Sequence, residues 1–397
     1  MNSTTPAARG VGMDVSVFNV GGLLSRLGEL TDTRSPKGMR YALAPVLLLI
    51  ILAKLSGEDK PYGIADWIKS RGQVLREAFH LCWRSMPHHN TVRRIMEHVV
   101  VPEELDRVFG EYVQSLSGVG QSLLIAVDGK TVRGTIDAES PDGDHLMAAY
   151  LPEEGIVLMQ VATGGKGKEI KAAPELLKCL DLRGKVVAGD AIHTQRALSI
   201  QILDAGGDYL WFVKDNQPTL RADIEELFTA DDRTVEGGRI PNDFKTYRTV
   251  DKGHGRLESR EITVSSELKG YSDWPGLEQV FKLDRCRIDI KTGKMEQEIT
   301  YGVTSLSVTE ASPERLLYLT RTYWGIENGL HQRRDVTFKE DRTRLTRGNA
   351  GRVMASLNNL VISLLRHAGE KNIAAARRRC SAYFTLALRA LPARSIT

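Results

Sequence analysis

The distribution of apolar residues changes at Ser122, which separates a helical part of the chain from a part that contains strands. Before this point, Gly or Pro residues lie between several apolar stretches that are long enough to form helices. The predicted helices cover residues 17–27, 41–55, 62–79, 91–99 and 103–116. Residues 1–13 are interpreted as a flexible tail, so residues 14–117 form a predicted all-helical N-terminal domain.

After Ser122, short apolar segments predict β-strands, and the tripeptide PEE between the second and the third indicates a hairpin. The predicted strands are residues 123–130, 145–151, 155–163, 186–190 and 209–214. Predicted helices at 173–180 and 194–205 alternate with the last two strands. Three antiparallel strands followed by alternating helix and strand predict a mixed sheet with helices on its faces. This order of elements is also that of the ribonuclease H-like fold.

Residues 240–308 alternate between polar and apolar positions and are rich in β-branched side chains, which predicts further strands. Because they interrupt an α/β pattern, residues 236–310 are interpreted as an inserted β-rich subdomain. The predicted fold class is therefore α/β: a ribonuclease H-like catalytic core with an inserted β-subdomain, preceded by an all-helical N-terminal domain. The core begins with residues 118–235.

The chain becomes helical again in residues 311–397. Ser312 is a favourable N-cap, and Pro313 follows at the first helical position. This last part is predicted to supply a helix of the core and a basic helical C-terminus.

Two observations bear on the cellular location. The most apolar stretch, residues 41–53, contains Pro45 and ends before Lys54, whereas spanning a bilayer takes about 20 apolar residues. It is interpreted as a buried helix. The first ten residues, MNSTTPAARG, do not have the pattern of a secretory signal, and the four cysteines form no CxxC pair. The expected location is the reducing cytoplasm, in association with the nucleoid.

Composition is that of a globular protein, with 42% hydrophobic and 26% charged residues. The formal net charge of +4 is unevenly distributed. From Arg333 onward, 14 Lys or Arg stand against 4 Asp or Glu, so this part carries 14 − 4 = +10 and the rest 4 − 10 = −6. A basic end beside an acidic body indicates a polyanionic partner such as nucleic acid, or else a solvated helical face.

A second basic feature lies in residues 88–95, HHNTVRRI, which follow Pro87. If Asn90 is the N-cap, Arg93 and Arg94 lie in the first turns of a helix whose N-terminal end could meet DNA. A plain surface helix explains the same residues equally well.

Candidate chemistry begins with Asp128 and Asp190, each of which ends a short apolar strand and has a Gly neighbour. A strand end places a side chain at the rim of a sheet. If the two strands are adjacent, the carboxylates converge, and a divalent cation such as Mg²⁺ relieves their repulsion. The alternative is that Asp-Gly only marks turns.

Glu327 adds a third carboxylate. On the helix from Ser312, an apolar stripe recurs at spacings of three and four, and Glu327 lies at its edge. His331 and Arg334 follow four and seven residues later, on nearly the same face. Such a line of groups suits a phosphodiester backbone. The alternative is a solvated Glu at an ordinary helix edge.

Several phrases resemble the bacterial insertion-sequence transposases with a DDE triad, in the group that includes the H-repeat-associated proteins. These phrases are AVDGKTVRG, GDAIHTQ, FVKDNQPTL, GHGRLESR and YWGIENGLHQRRDVTFKEDRTRL. The resemblance extends over almost the whole chain. It implies that Asp128, Asp190 and Glu327 are the catalytic and metal-binding triad, with Mg²⁺ as the cofactor and Mn²⁺ as a substitute. It also implies that Arg334 contacts DNA phosphate.

Other residues of these phrases are candidate DNA contacts, although each is equally compatible with a solvated or structural role. In the core they are Lys130, Arg133, His193 and Gln217. In GHGRLESR, alternation along a strand would place His254, Arg256, Glu258 and Arg260 on one side. That side would either face DNA or form a salt-bridged sheet surface.

The predicted function is that of a DNA transposase, which cuts at the ends of an insertion sequence and joins them to target DNA. Two metal ions would activate a water or a DNA 3′-hydroxyl for in-line attack. The expected partners are double-stranded DNA and a second copy of the chain when assembled on DNA, and no membrane. The alternatives are a metal-dependent nuclease without strand transfer, and a catalytically silent, transposase-derived DNA-binding protein.

Overall fold

A computed structural model describes residues 20–165, 167–229, 234–235, 238–239, 242–253 and 255–383. The chain divides into two compact units. The helical unit combines Met1–Ser117 with Arg333–Thr397, and the sheet unit is Gly118–Gln332. The boundary at Arg333 differs from the predicted boundary at residue 311, because the helix that carries Glu327 belongs to the sheet unit and the chain after it belongs to the helical unit.

Twelve α-helices are found among the described residues. They are α1 (Val20–Leu27), α2 (Leu43–Leu55), α3 (Pro61–Ser70), α4 (Gly72–Ala78), α5 (His89–Arg94), α6 (Pro102–Gln114), α7 (Glu169–Lys178), α8 (Arg196–Asp204), α9 (Pro218–Thr229), α10 (Pro313–Tyr323), α11 (Ala350–His367) and α12 (Ile373–Ala382). Wider π-helical turns cover Ile95–Val99, Glu327–His331 and Arg333–Thr337. Short 3₁₀ turns cover Arg133–Thr135, Ala191–His193 and Glu340–Arg342.

Eleven strands are described. They are β1 (Leu124–Val132), β2 (Asp144–Leu151), β3 (Ile156–Ala162), β4 (Val186–Gly189), β5 (Asp208–Val213), β6 (Thr234–Val235), β7 (Gly238–Arg239), β8 (Lys245–Gly253), β9 (Arg256–Ser265), β10 (Gln279–Asp289) and β11 (Met295–Thr304). Nine of them form one sheet, and β6 pairs only with β7.

The helical unit is built around α2, which is apolar on all sides and is therefore buried. Eleven of its thirteen residues are buried, as the sequence predicted. Helices α1, α3, α11 and α12 pack around it. Within the described part of the chain, no helix has the length and apolarity needed to cross a membrane.

Two helix predictions in this unit are wrong in detail. The predicted helix 62–79 is two helices, because the chain leaves helical geometry at Arg71. The N-cap of α5 is His88 rather than Asn90: the His88 Nδ1 accepts a hydrogen bond from the Asn90 backbone N–H at 3.3 Å. As a result, Arg93 and Arg94 lie in the last turn of this short helix instead of the first turns.

The order of strands in the large sheet is β3-β2-β1-β4-β5-β11-β10-β9-β8. Strands β1, β2 and β3 are antiparallel, as predicted, whereas β4 runs parallel to β1 and β5 runs parallel to β4. The fold is therefore a mixed α/β fold, and this strand order is compatible with a ribonuclease H-like core.

The predicted β-rich insertion does contain strands, but its four long strands, β8 to β11, belong to the large sheet and do not form one of their own. Strand β11 pairs antiparallel with β5, and β10, β9 and β8 extend the same sheet. Strand β5 has a free edge after β4, and β11 satisfies its backbone N–H and C=O groups there. The alternating pattern predicted the strands but could not identify their neighbours.

Buried charges in the helical unit are paired with one another. The Arg334 side chain, 1% exposed, donates through Nε to both carboxylate oxygens of Glu340, at 3.0 and 2.9 Å. The Asn358 amide also donates to Glu340, at 2.8 Å. Burying this pair is compatible with stability only because each charge compensates the other.

We expect the Glu340→Ala substitution to destabilise the protein by about 3–5 kcal/mol, because it leaves the Arg334 guanidinium buried without its counter-charge. The control is Glu103→Ala, which removes an exposed partner of Arg352 and should cost about 0–1 kcal/mol. Urea unfolding of both variants measures the difference. Equal losses would contradict a structural role for the Arg334–Glu340 pair.

Candidate active site

Asp190 directly follows β4, as predicted, but Asp128 does not end its strand: it lies in the middle of β1, which continues to Val132 because it stays paired with β2. In the register between β1 and β4, Val127 is opposite Gly189, so each aspartate is the next residue along its strand. The buried apolar residues before them hold both strands inside the core. The sequence expectation that the two strands are adjacent is confirmed, and the two carboxylates emerge at one edge of the pair.

Glu327 and His331 approach Asp128 from the segment that follows α10. Both lie in the π-helical turn Glu327–His331, and each directly follows a fully buried residue, Ile326 before Glu327 and Leu330 before His331. The His331 Nδ1 lies 3.5 Å from Asp128 Oδ2 and 3.5 Å from Glu327 Oε2. One donor atom from each of these three side chains lies within 4.8 Å of the others, a spacing that could hold a metal ion.

Backbone amides fix the two aspartates. Asp128 Oδ1 accepts from the Gly129 N–H at 2.9 Å, and Asp190 Oδ1 accepts from the Ile192 N–H at 3.1 Å. The second of these contacts caps the 3₁₀ turn that follows β4. The carboxylates are therefore held in place by local chain geometry.

Burial, and after it the negative charges of Glu327, Asp190 and Glu169, raise the pKa of Asp128 to about 8, although the Gly129 hydrogen bond lowers it. The hydrogen bond and positive charge of His331 instead hold the pKa of Glu327 below its ordinary value, with a contribution from Lys130. Acidic groups therefore converge here without enough positive charge to balance them, which is the condition that a bound cation relieves.

Glu169, at the start of α7, is a further carboxylate that the sequence argument missed. A Cβ on Gly129 would lie 2.4 Å from Glu169 Oε1, so the carboxylate rests directly above the residue after Asp128. The His145 Nδ1 lies 3.8 Å from the same oxygen. Burial and the charge of Asp190 raise the pKa of Glu169. The only sequence signal was the glycine in AVDGK, and it does not identify its partner.

Two residues expected to touch DNA in the core, the buried His193 and the half-buried Gln217, make contacts within the fold. His193 is fully buried, packs against Gly189, and has its Nε2 3.9 Å from Asp190 Oδ1. Burial lowers the pKa of His193, so the ring is neutral at pH 7. Gln217 donates to the Thr194 carbonyl at 2.9 Å. A phosphate contact is not supported for either side chain in this conformation.

The remaining candidate DNA contacts of the sheet unit differ in exposure and in their partners. Lys130 lies half-buried on β1 close to Glu327, and Arg133 is exposed in the turn after it. Arg256 is exposed at the start of β9, and His254 lies outside the described residues. Further along β9, Glu258 is buried and pairs with Arg260 at 2.7 Å and with Arg285 and Arg287. This part of the strand has the salt-bridged surface that was the alternative interpretation.

Arg334 and Glu327 lie in successive π-helical turns. The 100° per residue that placed them on one helix face does not apply across such turns, which close with i→i+5 hydrogen bonds. The guanidinium of Arg334 is occupied by Glu340, so the phosphate contact expected there would require that pair to open. Arg93 and Arg94 are exposed on α5.

Comparison with known proteins gives matches to two family models that together cover most of the chain. Residues 120–364 match the family model described as "Transposase DDE domain", and residues 24–113 match one described as "DDE_Tnp_1-associated". The chain is 29% identical over 350 residues to the "H repeat-associated putative transposase YhhI" of Escherichia coli strain K12. That alignment covers 86% of this chain and 90% of the relative.

Two further relatives are also similar to this chain over much of its length. The "Putative transposase YncI" of Escherichia coli O157:H7 is 29% identical over 359 residues, which is 88% of each chain. An uncharacterised protein of Xanthobacter autotrophicus is 31% identical over 260 residues, which is 64% of this chain and 84% of the relative.

We expect Asp128→Asn to stabilise the metal-free protein. Because the folded pKa of Asp128 is about 8, and unfolded Asp titrates near about 3.9, folding takes up a proton between these values. Wild-type stability therefore falls as pH rises through this range, and the variant does not carry this penalty. Its advantage should be absent near the unfolded pKa and reach on the order of 1–4 kcal/mol at neutral pH.

Thermal melts in EDTA across this pH range measure the effect. Asp142→Asn, at an exposed position of the same unit, is the matched control and should show no such trend. A variant that is less stable than wild type at neutral pH would rule out the repulsion described for Asp128.

Proposed function

The chain belongs to the DDE transposase family, and from this premise we propose that it cuts DNA at the ends of an insertion sequence and joins those ends to target DNA. The family implies a DNA substrate and the use of divalent metal. The observation that supports the proposal is the convergence of Asp128, Asp190 and Glu327 around one edge of the β1–β4 pair.

The residues present fit a divalent cation. Carboxylate oxygens are the ligands that Mg²⁺ prefers, and Mn²⁺ accepts the same set. The donor atoms of Asp128, Glu327 and His331 are close enough to share an ion. Burial and then the neighbouring carboxylates raise the pKa of Asp128, and a bound cation would lower it. We therefore propose Mg²⁺ as the cofactor, held by Asp128, Asp190 and Glu327.

When bound, two such ions activate the attacking oxygen and stabilise the leaving oxygen of an in-line displacement. The protein's own part is to keep the three carboxylates fixed, which the Gly129 and Ile192 amides do for the two aspartates. His331 contacts both Asp128 and Glu327, so it aligns one with the other. Since no side chain has to act as a nucleophile, the same site suits hydrolysis by water and strand transfer by a 3′-hydroxyl.

We assign Glu169 a supporting role at the same site. Its carboxylate lies against the backbone next to Asp128 and is held by α7, with His145 behind it. Its negative charge beside Asp128 would strengthen the binding of a cation at this site.

Two parts of the proposal concern partners. A homodimer assembled on DNA is the expected active form, and the half-buried Lys130 and the exposed Arg133 and Arg256 remain predicted DNA contacts. The competing functions are a nuclease that does not join strands and a silent DNA-binding protein. The complete set of carboxylates favours an active enzyme over the latter.

We expect Asp128→Asn, Asp190→Asn and Glu327→Gln each to abolish cleavage of DNA that carries the sequences flanking the gene, because each removes a proposed metal ligand. DNA binding should persist in Glu327→Gln. Gel assays with Mg²⁺, Mn²⁺ or EDTA measure cleavage, and recovery of joined target DNA distinguishes a transposase from a nuclease. Cleavage at the wild-type rate by either aspartate variant would refute the triad.

We expect Glu169→Gln to weaken Mn²⁺ binding by about tenfold, because one negative charge near the ions is lost. The increase in melting temperature on adding Mn²⁺ reports binding without any need for activity. The matched control is Glu175→Gln on the same helix, whose side chain is 66% exposed. Equal Mn²⁺ responses in the two variants would remove Glu169 from the site.

A further inference from the structure

We propose that the groove between α5 and residues 342–347 binds the backbone of double-stranded DNA. The inference rests on the proposed function, which requires the protein to hold DNA, and it names the surface that does so. The groove has a volume of about 650 Å³ and lies entirely within the helical unit. It joins two parts of the sequence that are more than 200 residues apart.

The charge of this groove is strongly positive. Its lining contains five cations and one carboxylate: Lys60, Arg93, Arg342, Arg344, Arg347 and Glu97. Glu97 is buried and lies 3.7 Å from Arg93, so it offsets part of one charge. Among the described residues, no carboxylate forms an ion pair with any of the other four cations, all of which are exposed. Exposed cations in a concave surface attract a polyanion.

The segment that carries the three arginines is anchored at its C-terminal end. Gly348 has a φ of +51°, and a Cβ there would lie 2.2 Å from the Glu97 carbonyl oxygen, so only glycine fits. The next residue, Asn349, donates its backbone N–H to the same oxygen and its side-chain amide to the Val100 carbonyl, both at 3.0 Å. The arginines therefore project from a segment that is already held beside α5, which lowers the entropic cost of binding.

The basic surface continues around α5. Tyr62 and His89 also line a second groove of about 680 Å³, to which Arg40 and Lys69 contribute, with Asp66 as its acidic residue. Arg40 in turn lines a third groove of about 400 Å³, together with Lys37 and Arg94. Among the described residues that line this third groove there is no carboxylate.

Cations on several sides of one exposed helix suit a duplex better than a single strand. A duplex presents two phosphate backbones on either side of a groove that admits a helix. Single-strand sites instead rely on rows of aromatic side chains for base stacking. Here Tyr62, 69% exposed, is the one large aromatic side chain in the first groove among the described residues.

The experiment compares salt-dependent binding of the wild type and R344A/R347A to a fluorescent mixed-sequence duplex of about 30 base pairs, in EDTA. Loss of two phosphate contacts should make the slope of log K against log salt less negative by about 1.8. Affinity at about 100 mM KCl should fall at least about tenfold. R344K/R347K should bind like the wild type, because it keeps both charges.

The matched control is K371A/R378A, which removes two exposed cations of the same unit that do not line the grooves. It should leave the slope unchanged, and melting curves establish that all variants are folded. An unchanged slope in R344A/R347A, an equal change in the control, or tighter binding of a single strand of the same sequence would each overturn the proposal. Because EDTA prevents metal-dependent cleavage, this outcome is independent of whether the triad cuts DNA.

Discussion

Repulsion between carboxylates at the edge of the β1–β4 pair is the constraint on which the proposed chemistry depends. Parallel pairing of the two strands brings Asp128 and Asp190 together at the point where that pairing stops. The turn that carries Glu327 adds a third negative charge, and α7 adds Glu169. Burial makes the charges of Asp128 and Glu169 more costly. Other interactions of the fold must therefore offset this loss of stability, and a cation bound at this edge would reduce the loss.

Buried charge in the helical unit differs from buried charge at Asp128 in whether it has a partner of opposite sign. In the helical unit, the ammonium of Lys54 lies 3.2 Å from Asp59, and Arg377 donates to the same oxygen at 2.6 Å. The ring of Phe338 covers both cations. Each of these two buried cations has a carboxylate partner, so we interpret the cluster as one that stabilises the fold. In the sheet unit, burial and three carboxylates all act on Asp128 in the same direction. An imbalance of this kind marks a functional site more clearly than burial alone.

How much of this could be predicted depends on the range of each interaction. The short apolar runs before Asp128 and Asp190 predicted two strands of the sheet, because side-chain order along a strand is local. They did not predict that β1 continues past Asp128 to Val132, because that continuation depends on pairing with β2. The N-cap Ser312 was predicted for the same reason, and it does accept from the Arg315 N–H. Glu169 was missed because its place depends on how α7 packs over Gly129. The pairing of β11 with β5 likewise joins distant parts of the sequence, and the alternation of polar and apolar residues within a strand does not predict it.

The basic C-terminal part of the chain also shows what local sequence can and cannot predict. The excess of +10 from Arg333 onward indicated a nucleic-acid partner, but charge counting does not distinguish between arginines. Arg334 and Arg377 are buried against Glu340 and Asp59, and Arg352 pairs with Glu103. These charges are used within the fold. The excess that remains for a partner lies on residues such as Arg342, Arg344 and Arg347, which the fold exposes along a single anchored segment. Spacing along a helix from Glu327 predicts Arg334 as the phosphate contact, but Arg334 is buried against Glu340. The arginines that packing leaves exposed are in the segment that follows Arg334.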